Sequence, residues 1–220
     1  KSIGVKTIRE IGKLRSFGEY LMMAEANFNL VLNSEARFAA ADLQERLSMP
    51  SIEIRRLYQI DKIESQYKAL ANALGVTFDD ASYKAAAVRA ADEFRDAVRD
   101  MDVNFAVGEF MNGDPFEMAL SLVKEGFRVS EIYGTIGGEN YTFVEMLAEL
   151  SPETKVFSNL DPSMIYYSEN KDITFTIGKD AAYYNPGARH VLWHGDIQPY
   201  GYAGVRKLFE QLAAAAKEVG

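Results

Sequence analysis

The sequence predicts an α/β protein with parallel sheets, on three observations. Apolar or alternating stretches of five to seven residues recur along the chain, and helical patterns with an apolar seam separate them. Two of those helical patterns open on Asp-Pro, at Asp114-Pro115 and Asp161-Pro162. Aspartate caps a helix there and proline suits its first position. A long helical pattern, "SYKAAAVRAADEFRDAVRDM" (82–101), parts the alternation into a short series and a longer one.

Taken in order, "VKTIREIGKL" (5–14) and "GEYLMMAEA" (18–26) read as two helices. "FNLVL" (28–32) is a short apolar run, expected to be a buried strand. Ala36, Ala40, Leu43 and Leu47 then recur at helical spacing, and "SIEIRR" (51–56) alternates as a second strand. Asp61 with Glu64 resembles a capping box, and Ile60, Ile63, Tyr67, Leu70 and Leu74 share one helical face that Gly75 ends. In the long helix, Ala87, Ala91, Phe94, Val98 and Met101 form the seam, and it reads as a spacer between two halves.

The second half repeats the alternation more clearly. Strands are expected at 103–107, 127–133, 154–158, 172–177 and 189–193, with helices at 115–125, 140–150, 161–168, 179–184 and 202–218. The last helix carries a stripe of Val205, Leu208, Phe209, Leu212, Ala216 and Val219. This order argues for right-handed βαβ units around a parallel sheet. The predicted boundaries are 1–101, a partial unit plus the connecting helix, and 102–220, a fuller one.

Composition narrows the function. Of 220 residues, 48% are hydrophobic and 25% charged, as in globular proteins, and the net charge is −8. No Lys/Arg cluster offers the basic face that nucleic acid requires, so no nucleic-acid partner is expected. No run of about 18 apolar residues spans a membrane. The chain has no cysteine, which excludes disulfides and thiolate-held metal sites built within it. With no visible signal peptide, these features lead to the expectation of a cytoplasmic protein. The first residue is Lys1, so the sequence reads as a piece of a longer protein.

Parallel sheets bind ligands beyond the carboxyl ends of their strands, so the turns there carry the search. "GEFMNGDP" (108–115) spaces Gly108 and Gly113 as a phosphate loop does, but Asp114-Pro115 stands where lysine and a hydroxyl are needed. "GTIGGEN" (134–140) is not a dinucleotide fingerprint, although Gly137 and Gly138 let a backbone approach a ligand. In "IGKD" (177–180), Lys179 falls at a strand-to-helix junction suited to an anion. "GARHVLWHGDIQPYGYAG" (187–204) holds both histidines and the only tryptophan. His190 lies inside a strand and reads as a packed or edge residue. His194 comes at the strand end, where an imidazole binds metal, donates a hydrogen bond or delivers a proton near neutral pH. Packing and function both remain open for it, because no His/Cys cluster accompanies it. Asp196 is a candidate partner for His194 or a cap of the turn.

Several stretches together resemble the later two-thirds of a nitrogenase component 1-type subunit. That is the family of the molybdenum–iron protein, its cofactor-assembly scaffolds and related tetrapyrrole reductases. "NLVLNSEARFAAADLQERLSMPSIEIRRLYQIDKIESQYKALANALG" (29–75) resembles its strand–helix–strand–helix unit. "NFAVGEFMNGDPFEMALSLVKEGFRV" (104–129) and "YGTIGGEN" (133–140) resemble the start of its last Rossmann-like domain. "KDITFTIGKDAAYYNPGARHVLWH" (171–194) and "PYGYAGVRKLFEQLA" (199–213) resemble its end. The order and spacing of these motifs carry the likeness, over roughly residues 25–219.

The resemblance implies two Rossmann-like units joined by a long helix. It also implies an iron–sulfur or molybdenum–iron-type cluster. In the family's α subunit a histidine seven residues after a glycine binds the catalytic cluster, and Gly187 and His194 have that separation. The lysine near the cluster's organic anion falls near Lys179. The second cluster ligand, a cysteine, falls on Asn33, and the arginine under the cluster falls on Met111. Amide oxygen substitutes poorly for thiolate. These departures point to a divergent member with a different cofactor or substrate, or to a subunit whose site is lost. The bridging-cluster cysteines belong to the family's first third, which this chain lacks.

The function so implied is a redox subunit, paired with a component 1 partner subunit or as a homodimer. It would take electrons from an ATP-dependent iron–sulfur reductase and hold a metal cluster or substrate between its domains. His194 is then ligand or proton donor, and Asn33, Ser34, Met111, Gly137, Gly138 and Lys179 line the pocket. The alternative is a non-catalytic scaffold or carrier for a metal cluster or tetrapyrrole during cofactor assembly.

Overall fold

The computed structural model describes residues 4–110, 113–194 and 199–217. They form two compact units. One comprises Lys1–Arg55 with Glu64–Asp79, the other Arg56–Ile63 with Asp80–Gly220.

The first unit holds α1 (Phe17–Leu21), β1 (Asn29–Val31), α2 (Arg37–Leu47), β2 (Ser51–Glu53) and most of α3 (Ile60–Leu74). Strands β1 and β2 pair in parallel, with Asn29 opposite Ser51 and Val31 opposite Glu53. The Arg37 guanidinium ties α2 to β2 through two bonds to the Glu53 carboxylate, at 2.6 and 2.8 Å. Those bonds hold the carboxyl below the usual range. The helix expected over 5–14 is instead a single 3-10 turn, Ile11–Lys13. Ile8 and Ile11 are 75% and 66% exposed. A helix that buries no face lacks most of what stabilises one. Helix α3 begins at Ile60, so Asp61 lies inside its first turn rather than capping it.

The second unit runs α4 (Ala81–Ala97), β3 (Asn104–Val107), α5 (Pro115–Lys124), β4 (Arg128–Tyr133), α6 (Tyr141–Leu150) and β5 (Lys155–Phe157). It continues with β6 (Phe175–Ile177), α7 (Lys179–Tyr184), β7 (Arg189–Val191) and α8 (Gly201–Lys217). The five strands form one sheet in the order β5-β4-β3-β6-β7, every pairing parallel. Helix α4 lies along α8. Phe94 on α4 is fully buried and meets Phe105 of β3, Phe127, Phe175 of β6 and Phe209 of α8 at ring-centre distances of 5.3 to 6.2 Å. The next residue along β3, Ala106, belongs to a separate cluster with Tyr133, Ile173 and Ala181. Alternation along the strand thus feeds both faces of the sheet.

Local chemistry explains the element boundaries. Asp114 caps α5 by accepting from the amides of Phe116 and Glu117 at 2.9 and 3.2 Å. Asp161 accepts from Ser163 at 2.8 Å, but the element it opens is a 3-10 turn, Pro162–Tyr166, rather than the α-helix expected over 161–168. Strand β7 stops at Val191, two residues before the predicted end. Trp193 has φ +42°, outside the extended region.

Candidate functional site

From β3 the chain passes to β4 and β5 on one side, and later to β6 and β7 on the other. The turns after β3 and β6 therefore diverge, which opens a crevice at this switch point in sheets of this kind. Here the chain's own atoms fill it. The amide of Gly108 donates to the Ile177 carbonyl at 2.7 Å. A methyl group on Gly108 would fall on the Asp180 carboxylate and within 2.9 Å of the Ala181 amide nitrogen. Gly178 has φ +100°, and its missing Cβ would sit 3.1 Å from Gly108. Asp180 accepts from the Glu109 amide at 3.1 Å, the Asn159 side-chain amide at 2.7 Å and the Ala181 amide at 3.0 Å. Desolvation and then the neighbouring Asp180 charge push the Glu109 carboxyl above its ordinary range, against a backbone bond from Thr135.

Lys179, Gly137, Gly138 and His194 all follow carboxyl ends of strands of this sheet, after β6, β4 and β7. Lys179 is exposed as the first residue of α7. Gly137 and Gly138 are exposed, and a Cβ on either meets nothing within 4 Å. Their loop is held instead by Asn140, which accepts from the Gly137 amide at 2.9 Å and donates to the Thr135 carbonyl at 3.1 Å. Gly137→Ala and Gly138→Ala are expected to change stability by less than about 0.5 kcal/mol, read as an unshifted thermal midpoint. His194 is exposed beyond β7. His190 is exposed on that edge strand, its Nδ1 2.8 Å from the Thr176 hydroxyl opposite. Asn33 and Ser34 belong to the first unit, where the Asn33 side chain accepts from the Glu35 amide at 3.0 Å and caps a 3-10 turn. Met111 and Asp196 lie outside the described residues.

Two buried carboxylates in the second unit were not singled out by sequence. Glu117, on α5, is fully buried. It accepts from the backbone amides of Tyr58 and Gln59 and from the Gln59 side chain, at 3.0 to 3.1 Å. Burial pushes its carboxyl up to about 7, with the Gln59 and Tyr58 bonds opposing. Lys124 donates to the Gln59 side-chain oxygen at 2.5 Å. Glu131, on β4, accepts from the hydroxyls of Tyr133 and Tyr167, both at 2.7 Å, and from Asn170 at 3.1 Å. The Tyr133 ring stacks on Tyr184 at 5.0 Å. Burial drives the Tyr133 hydroxyl far above its ordinary range. The signal available for Glu117 was a lone acid in the otherwise apolar "PFEMALSLV" of a helix buried nearly all round. Glu131 carried no comparable signal.

The family model for nitrogenase component 1 type oxidoreductases matches residues 3–217. The chain belongs to that family. Among solved structures, nitrogenase Cp1 at pH 6.5 superposes with a TM-score of 0.65 at 20% identity, covering 88% of this chain and 46% of that one. Nitrogenase Cp1 at pH 5 gives 0.56 at 13% identity, covering 88% and 47%. Both share the nitrogenase component 1 fold with this chain, which spans about half their length. No curated protein matches the sequence.

A component 1 cluster needs soft or imidazole donors fixed around it. This chain has no cysteine, and among the described residues no three His, Asp or Glu side chains stand close enough to hold a metal. The Asn33 side-chain amide is engaged as a cap. The donors present do not fit a cluster anchored by these residues. What the carboxyl edge of the sheet does offer is an exposed imidazole at His194, the exposed Lys179 side chain and a Glu109 carboxyl pushed above its ordinary range by burial.

Proposed function

We propose that this chain forms part of a component 1-like redox subunit. It acts with a partner subunit or a second copy and takes electrons from an ATP-dependent iron–sulfur reductase. The electrons pass to a substrate held at the carboxyl edge of the five-stranded sheet. Reduction of an unsaturated bond needs protons as well as electrons, and His194 supplies them as general acid. Lys179 attracts an anionic group of the substrate, and the Gly137-Gly138 backbone lets it approach. The observation that carries this reading is an exposed imidazole at the end of β7 in a member of this redox family.

The test is His194→Ala in the full-length complex. Substrate reduction is expected to fall at least about 100-fold, the scale of a lost general acid. The thermal midpoint should hold, because the side chain is exposed. A carrier of cofactor would instead lose its bound cofactor and show no turnover in either form. If both turnover and bound cofactor match the wild type, the proposal fails.

A further inference from the structure

The short segment 56–58 belongs to the second unit although the residues before it do not. Its anchorage is the Glu117 carboxylate, which takes the backbone amides of Tyr58 and Gln59. Backbone amides that would otherwise be buried without a partner are thereby satisfied. So fixed, the segment presents Tyr58 to Trp193, just beyond β7, and Arg56 to Tyr200, just before α8. The Tyr58 ring is 2% exposed and makes edge contacts with Phe110, at 5.9 Å, and Trp193, at 6.2 Å. Its hydroxyl accepts the Trp193 indole N–H at 2.5 Å. Two residues earlier, the Arg56 guanidinium lies 4.5 Å from the ring centre of Tyr200.

Trp193 is one of two described non-glycine residues with positive φ, at +42°. A bulky residue in that region is strained and persists only when its surroundings hold it. Tyr58 is one such contact. Trp193 is 4% exposed, and the next residue, His194, is exposed.

We infer that Tyr58 is a positioning residue for His194, its bond to Trp193 clamping the backbone just before the imidazole. The inference rests, for its effect on turnover, on the reading of His194 given above. Tyr58 touches no substrate in this account. It sets the Trp193 backbone, and that sets where the imidazole points. The segment 56–58 therefore couples the strength of the Glu117 anchor to the geometry of a residue far away in sequence.

The experiment compares Tyr58→Phe and Trp193→Phe in the full-length protein. Each removes one side of the hydroxyl–indole bond; Tyr58→Phe leaves both rings, and Trp193→Phe exchanges the indole for a smaller ring. Diethyl pyrocarbonate modification is followed by peptide mass analysis. His190 serves as internal reference, since it is exposed on β7 and bonded to Thr176. The rate at His194 is expected to change by about threefold or more in both variants, the factor equivalent to one lost hydrogen bond, while His190 keeps its rate. The turnover loss caused by Tyr58→Phe should vanish in the His194→Ala background. Should Tyr58→Phe fail to fold by circular dichroism, Trp193→Phe carries the test alone. Unchanged labelling of His194 in a folded variant overturns the inference. Altered labelling with wild-type turnover in His194→Ala upholds the clamp and sinks the proposed function instead.

Discussion

Replacing Glu117 by alanine is expected to cost about 4 kcal/mol, read as a fall of about 10 °C in the thermal midpoint. The change strands the amides of Tyr58 and Gln59 and the Gln59 side chain without an acceptor, all of them buried. It also leaves a void in α5. Glu117→Gln is the control: its one amide oxygen keeps the acceptor facing the Gln59 amide and side chain, and only the Oε2 contact to the Tyr58 amide is lost. Those two variants separate the hydrogen bonds from the charge.

The charge has its own signature. The Glu117 carboxyl is raised from an ordinary 4.5 to about 7, chiefly by burial. A raised carboxyl contributes stability that is fully present below the unfolded value and is lost as pH climbs through the folded one. Wild type should therefore lose about 3 kcal/mol relative to Glu117→Gln between pH 4.5 and pH 8. Urea unfolding at a series of pH values, followed by the emission of Trp193, reads this directly. A difference that stays flat with pH would show that Glu117 does not titrate in that window.

Gly108→Ala is the second large effect expected, about 3 kcal/mol or outright failure to fold. A glycine substitution is mild where space is open, as at Gly137 and Gly138. At Gly108 the added methyl meets the Asp180 carboxylate, which three donors hold in place, and the Ala181 backbone behind it. The carboxylate can swing away only by giving up those bonds, and the Ala181 amide cannot move without shifting α7. Thermal melting of Gly108→Ala beside Gly138→Ala measures the contrast. Equal midpoints would mean that the switch point is looser than these distances say.

The alternation of strands and helices was legible because each strand of the second unit carries its own apolar run and each helix its own seam. Asp114-Pro115 announced α5 because a cap is a local device, complete within four residues. Two of the expectations that failed turn on what surrounds the segment. Residues 5–14 have helical spacing, yet Ile8 and Ile11 find nothing to pack against. Asp161-Pro162 has the same cap chemistry as Asp114-Pro115, and only a 3-10 turn follows it.

At the candidate site, the expected strand order puts Lys179, Gly137, Gly138 and His194 after carboxyl ends of strands, because parallel topology alone does so. The sequence did not reveal what fills the turns there. Asp180 reaches the Glu109 amide across 71 residues, and the Trp193–Tyr58 bond spans 135. Contacts of that range leave no periodicity to read. Asn33, singled out by resemblance alone, has a local structural role through its capping bond with the Glu35 amide.

The central claim is that His194 delivers protons to the substrate of a component 1-like subunit. The most direct measurement is the yield of reduced product per ATP hydrolysed in the full-length complex carrying His194→Asn. ATP hydrolysis by the reductase is expected to continue with the yield down at least about tenfold, since electrons arrive and protons do not. A yield equal to that of the wild type would contradict that claim.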